Sequence, residues 1–189
     1  MTEPLNALGL SHRLMREKIR PGDFCIDGTA GRGRDTAFLC ELVGENGKVL
    51  AFDIQKEAVD STKALLAEKG FSNAEVFLDS HENLENYAAP GEVDGIMFNF
   101  GWLPGGDHSV FSHGNTSIKA IRAGLSLLKK GGVMTLCIYY GKETGTEEKN
   151  SLLDFLHTID PKTFTVILSD FVNRTGEPPL FAAILKENN

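Results

Sequence analysis

FCIDGTAGRGRDT, residues 24–36, is the stretch from which the fold is read. Phe24, Cys25 and Ile26 form the short apolar run of a strand covered on both faces. Asp27 closes the run, and Gly28, Gly31 and Gly33 follow, permitting tight turns and close backbone approach to a ligand. From about Arg34 to Val43 the apolar residues take helical spacing. The stretch therefore reads as strand, glycine turn, helix.

Working outward, the same alternation repeats. KVLAFDI (48–54), AEVFLD (74–79), VDGIMFNF (93–100) and GGVMTLCIYY (131–140) read as strands. Helical spacing separates them at Ala58, Val59, Thr62, Leu65 and Leu66, and again over about 115–129, where Ile118, Ile121, Leu125 and Leu128 share a face. Thr146 is the expected cap of the next helix, with Glu147 and Glu148 favourable in its first turn and Leu152, Leu153 and Leu156 on its apolar face. TFTVILSDFV (163–172) and PPLFAAILK (178–186) close the chain as an antiparallel pair. Strands alternating with helices predict an α/β fold with a mostly parallel seven-stranded sheet, helices on both faces and a terminal hairpin. Such a sheet binds ligands beyond the carboxyl ends of its strands, near the point where strand order reverses.

Composition fits a single domain over residues 1–189. Hydrophobic residues make up 41% and charged residues 24% of the chain, the balance of an ordinary globular protein. The N-terminal MTEPLNALGLSHRLMREKIR lacks the continuous apolar core of a secretory signal, and no apolar run is long enough to span a membrane. Cys25, Cys40 and Cys137 lie apart in apolar segments without zinc spacing, as expected of buried thiols in the cytoplasm. A net charge of −7 argues against a protein that coats nucleic acid generically. Basic residues nevertheless crowd locally, at Arg13, Arg16, Lys18 and Arg20 and at Arg32 and Arg34, either as a solvated face or as a rim for phosphates.

Asp53 ends the second strand, twenty residues after Gly33, where a carboxylate can accept hydrogen bonds from ribose hydroxyls. Loop and carboxylate together indicate a nucleoside cofactor. A dinucleotide site would want G-x-G-x-x-G, but Thr36 stands at the third glycine position. Asp35 at the helix mouth would repel a pyrophosphate and would suit a ligand carrying an amino group and a sulfonium. The pattern D-x-x-x-G-x-G of Asp27, Gly31 and Gly33 resembles the first motif of the class I S-adenosyl-L-methionine (SAM) methyltransferases, whose Rossmann-like fold also ends in an antiparallel hairpin. That resemblance implies SAM as cofactor, with Asp27, Gly28, Thr29, Gly31, Gly33, Asp35, Thr36, Asp53, Ile54 and Gln55 around it. Ser80 and His81 follow the third strand, where that fold lines the adenine pocket; Ser80 is expected to cap a helix there as well, both roles at once.

Asn99 ends the fourth strand and opens NFGWLPGGDHSVFSHGNT (99–116). Amine-methylating members of the wider fold carry Asp/Asn-Pro-Pro-Tyr/Phe at this place. NFGWLPGG keeps the Asn, puts Phe100 at the first proline and supplies Trp102.

CIDGTAGRGRDTAFL, AFDIQ, SHENL, NFGWLPGGDHS, IYYGK and FVNRTGEPPLFAAILK resemble the bacterial family long labelled "putative rRNA methylases", over nearly the whole chain. Characterised members of that family are tRNA 5-aminomethyl-2-thiouridine methyltransferases. The resemblance implies tRNA as partner and transfer of one methyl group to the 5-aminomethyl nitrogen of a wobble uridine. The chain departs from the family at Lys142 and ETGT, where Tyr-Tyr-Gly-His with glycines is common. It departs again at Asn173-Arg174-Thr175-Gly176-Glu177-Pro178-Pro179, where Asn-Gln-x-Asn-x-Pro-Pro is common.

Asn99, Asp107, His108 and Tyr139 (or Tyr140) are accordingly the candidates to orient the amine or take its proton. Trp102 is a candidate to stack on the pyrimidine, and Arg13, Arg16, Arg32, Arg34 and Lys142 to meet phosphates. Pro104-Gly105-Gly106 also reads as a plain turn, Trp102 as core packing and His113 as a loop or capping residue. A metal held by Asp107, His108 and His113 is not expected. Competing acceptors are rRNA or a small amine, and a SAM-binding regulator without turnover is the reading from another class. The last hairpin and the N-terminal segment each offer a surface for a homodimer.

Overall fold

A computed structural model of the chain describes residues 4–101 and 114–188, and in it the expected alternation forms a seven-stranded sheet. β1 (Phe24–Asp27), β2 (Lys48–Asp53), β3 (Ala74–Leu78), β4 (Val93–Phe100) and β5 (Leu128–Ile138) run parallel. β6 (Phe164–Ser169) and β7 (Leu180–Lys186) form the hairpin, and β7 is antiparallel to β5 as well. The order is β3-β2-β1-β4-β5-β7-β6. Strand order reverses at β1, so the crevice beyond β1 and β4 is the switch point at which such sheets bind ligands.

Successive strand residues point to opposite faces, and the core divides accordingly. Ile26, Ile96, Phe98 and Phe100 pack with Ile121 and Leu127 of α4 (Gly114–Leu127) and with Leu152 and Phe155 of α5 (Lys142–Leu156). Cys25, Val49 and Met97 turn the other way, against Phe38, Leu39 and Val43 of α2 (Arg34–Val43) and Leu66 of α3 (Lys56–Lys69). Cys25, Cys40 and Cys137 are all buried free thiols.

α1 (Ala7–Lys18) was not read from the sequence. Asn6 caps it, its Oδ1 accepting from the Gly9 N–H at 2.8 Å. The helix lies on the α2 face because Gly95 of β4 leaves room for it. A Cβ at Gly95 would stand 2.6 Å from both Met15 Cε and Ile19 Cδ1. Ser11, buried, donates to Thr135 Oγ1 at 2.7 Å and ties the helix to β5. The low, mixed hydropathy of residues 7–18 hides this role, since only one narrow side is apolar.

Two expectations are corrected. α5 begins at Lys142, with Gly141 at its cap position, so Thr146 lies inside the helix and does not cap it. The first turn packs so near Tyr140 that a Cβ at Gly145 would be 3.3 Å from its Cα; the glycine is a packing contact, not a break. Glu148 is consequently buried and accepts from Ser117 Oγ at 2.7 Å, linking α5 to α4. β5 starts at Leu128, three residues before the expected 131, with Lys129 paired to Asp94. Among the described residues no helix is long and apolar enough to cross a membrane.

Candidate active site

The glycine turn is closed by Asp27. Its carboxylate, fully buried, accepts from the Thr29 N–H at 3.1 Å and from the Thr36 hydroxyl at 2.6 Å, so the last residue of β1 holds the first turn of α2. Burial, and then the neighbouring Asp35 carboxylate, push Asp27 up to about 7. Gly33 has φ +78°, and a Cβ there would lie 2.9 Å from Thr62 Cα; only glycine lets α2 start this close to α3. A Cβ on Gly28 would meet Phe98 Cε1 at 2.1 Å. That glycine is required by packing beneath the loop.

Asp53 reaches back from β2. It accepts from Gly31 N–H and from Gln55 N–H, both at 2.9 Å, one on each oxygen. A carboxylate has acceptor capacity for about four bonds, so each oxygen keeps a lone pair for a hydroxyl. Beside it Ile54 is 55% exposed, and Leu78 at the end of β3 is 57% exposed. Two large apolar side chains left open at adjoining strand ends make walls for a flat aromatic group.

Ser80 Oγ accepts from the Glu82 N–H, and a 3₁₀ turn runs over His81–Asn86, so the capping role expected for Ser80 is present. His81 Nδ1 lies 3.2 Å from the Gly28 carbonyl. A carbonyl only accepts, so Nδ1 carries the proton. Burial lowers the His81 pKa, which keeps the ring neutral near pH 7 and leaves Nε2 an acceptor. The ring stands edge-on to Phe98 and Phe100.

Beyond β1 and β4 a polar chain crosses the mouth. The Asn99 N–H donates to Thr29 Oγ1 at 2.8 Å, and its Nδ2 donates to Asp35 Oδ2 at 2.7 Å. Asn99 Oδ1 is buried with no hydrogen-bond partner among the described residues. The other oxygen of Asp35 is 2.7 Å from His12 Nε2 of α1. The His12 ring stacks on Phe38 with centroids 4.0 Å apart, and Arg16 lies over the same Phe38. His12 was missed in the sequence; one histidine in a basic amphipathic segment carries no spacing signal. Tyr139 follows β5 next to this group, 41% exposed, its N–H donating to the Phe100 carbonyl. Partial burial pushes its hydroxyl up to about 12, so it is protonated at neutral pH and suits orienting an amine, not taking a proton.

The structure thus brings together Asp27, Gly28, Thr29, Gly31, Gly33, Asp35, Thr36, Asp53, Ile54, Gln55, Ser80, His81, Asn99 and Tyr139 along the ends of β1 to β5. Arg13 is exposed on α1, and Lys142 opens α5. Arg32 and Arg34 line a groove of about 610 Å³ with Phe38, Glu41, Glu68 and Lys69. Trp102, Asp107, His108 and His113 lie outside the described residues. Among the described residues no group of three or more His, Cys, Asp or Glu is placed to hold a metal ion.

Comparison with known proteins agrees with this geometry. The family model described as "Putative rRNA methylase" matches residues 49–185. A chloroplastic tRNA (mnm(5)s(2)U34)-methyltransferase of Arabidopsis thaliana is 31% identical over 96% of this chain and 70% of its own. A structure titled "putative rRNA-methylase" from Clostridium thermocellum is 42% identical over 97% of this chain and 98% of that one, with a TM-score of 0.94. Another, a "putative methyltransferase" from Streptococcus mutans in complex with S-adenosylhomocysteine (SAH), is 32% identical over 97% and 99%, with a TM-score of 0.88. The chain belongs to this rRNA methylase family and is a SAM-dependent methyltransferase with the class I fold.

Proposed function

We propose that this enzyme, acting as a single cytoplasmic domain, methylates the primary amine of 5-aminomethyl-2-thiouridine at the wobble position of tRNA. The observation that carries the amine reading is Asn99 Oδ1, a buried acceptor with no partner among the described residues, fixed beside the Asp35 carboxylate. An acceptor atom next to a negative charge receives N–H groups and a nearby cation, as a primary amine and a sulfonium require. The Arabidopsis relative, named for the wobble position of tRNA, supports the RNA and the nucleoside.

The residues present fit SAM. Asp53 offers lone pairs to ribose hydroxyls, Ile54 and Leu78 offer apolar walls to the adenine, and His81 Nε2 is an acceptor near the base. Thr29, Gly31 and Asp35 line the turn where the amino acid part would lie. Bound there, SAM supplies an electrophilic methyl group on a positively charged sulfur.

Asn99 Oδ1 would accept one N–H of the incoming amine and aim its lone pair along the line of displacement, which removes much of the orientational cost of a two-body reaction. An alkylammonium must first lose a proton. Asp107 and His108 are our candidates to take it, and the Tyr139 hydroxyl our candidate to hold the amine. Trp102 would stack on the pyrimidine, and Arg13, Arg32 and Lys142 would meet phosphates.

Nucleoside mass spectrometry of total tRNA from a strain lacking the gene tests the assignment. Loss of one methyl group from a single wobble nucleoside, restored by purified protein with SAM, is the expected result. An unchanged tRNA profile refutes it and directs the acceptor search to rRNA and small amines. The rRNA reading has its own support, from 32% identity to the ribosomal RNA small subunit methyltransferase H of Alteromonas mediterranea. That match spans 44% of this chain and only 27% of the relative. Binding of labelled SAM with no transfer to any RNA or amine would instead indicate a regulator.

A further inference from the structure

We infer that His12 is a positioning residue for the methyl-transfer site: it holds the Asp35 carboxylate in place and, through it, fixes which atom Asn99 presents. This rests on the cofactor and acceptor reading above. The chain of contacts is continuous. Phe38 supports the His12 ring face to face, with planes inclined by 15°. His12 Nε2 meets Asp35 Oδ1 at 2.7 Å, and Asp35 Oδ2 receives Asn99 Nδ2 at 2.7 Å. The His12 and Asp35 side chains are only 16% and 9% exposed, so water competes weakly for these bonds.

The consequence follows from hydrogen-bond roles. A carboxylate donates nothing, so His12 Nε2 must carry a proton, in the neutral ring or the charged one. Because Asp35 Oδ2 can only accept, the Asn99 amide must turn its NH₂ toward it. Oδ1 is thereby left facing away as the buried atom without a partner among the described residues. A carboxylate held at one oxygen only could rotate, and the Asn99 amide could then flip and present a donor to an amine that needs an acceptor. His12 removes that freedom. It acts from α1, whose seat on the sheet is provided by Gly95 and the Ser11–Thr135 bond. This gives the N-terminal helix a functional reason for its position.

The test compares His12→Phe, which keeps a stacking ring and removes the donor, with His12→Gln, which keeps a donor and removes the ring. Titration calorimetry with SAM on the purified chain needs no acceptor RNA. His12→Phe is expected to raise the SAM Kd roughly tenfold, the loss of one charge-assisted hydrogen bond's worth of order at Asp35. His12→Gln should stay within about threefold of the parent on the same grounds. Where transfer to RNA is measurable, kcat should fall in the same order, with thermal melting unchanged for the Gln variant. An unaltered Kd in His12→Phe overturns the inference, and so does a His12→Gln variant as weakened as His12→Phe. If His12→Phe does not melt cooperatively, His12→Leu removes the donor with a smaller side chain and must show the same weakening. Failure of the parent enzyme to methylate any RNA would sink the acceptor assignment, while the SAM titrations would still decide the role of His12.

Discussion

Replacing Asp27 by Asn should flatten the dependence of stability on pH, because the folded chain confines this carboxyl where its charge is costly. Burial and the Asp35 charge raise it from the ordinary 3.8 to about 7. The folded chain therefore keeps a proton that the unfolded chain has already lost. Stability from this group is fully present below pH 4 and is lost as pH rises through 7. Each pH unit travelled between the unfolded and folded values removes at most about 1.4 kcal/mol, so the loss between pH 5 and pH 8 is between about 1 and 3 kcal/mol. Asn is isosteric: its Oδ1 can accept from Thr29 N–H, and its NH₂ can donate to the Thr36 hydroxyl, which then turns to accept. Urea unfolding of both proteins without SAM, at half-unit steps from pH 5 to pH 8, gives the difference directly. The parent should lose stability relative to Asp27→Asn as pH rises, with most of the change complete by pH 7.5. Parallel curves would show that Asp27 is ionised throughout and that the reasoning from burial is wrong.

Further consequences are open to measurement. Asn99→Ala strips the donor from Asp35 Oδ2 and should cost about 1–3 kcal/mol in chemical denaturation, the usual penalty for a stranded buried acceptor. It should also lower transfer more than it weakens SAM binding, and an unchanged kcat would remove Asn99 from the acceptor side. Gly28→Ala forces a methyl group against Phe98 and should destabilise by about 1–3 kcal/mol. Adding Phe98→Leu should recover part of that loss in a double-mutant cycle, and simple additivity would contradict the clash. Asp107→Ala and His108→Ala should fold normally and transfer poorly, and near-normal turnover in both would cancel their assignment.

Strand ends and the glycine turn were legible because their signals are local. An apolar run with Asp27 behind it, three glycines at fixed offsets and a carboxylate after the next run all lie within thirty residues. The hairpin was legible for the same reason, since two apolar runs flank one polar turn. Thr146 misled because its fitness as a cap is a local property, whereas the helix that contains it is tied to α4 by the Ser117–Glu148 bond, a contact made only in the fold.

The least legible part is the one that gives the site its chemistry. His12 and Asn99 lie 23 and 64 residues from Asp35, and the three residue types alone admit many partners. What selects the arrangement is a set of contacts elsewhere. Gly95 seats α1, Phe38 supports the imidazole, and Thr29 anchors the Asn99 backbone. None of these contacts has the spacing of a motif, because each acts between elements distant in the chain. A pattern search therefore finds the residues that meet the cofactor and overlooks those that decide which way they face. In this chain the orientation of one amide oxygen, and with it the amine acceptor we propose, depends on contacts of His12, Phe38 and Gly95 that no motif marks.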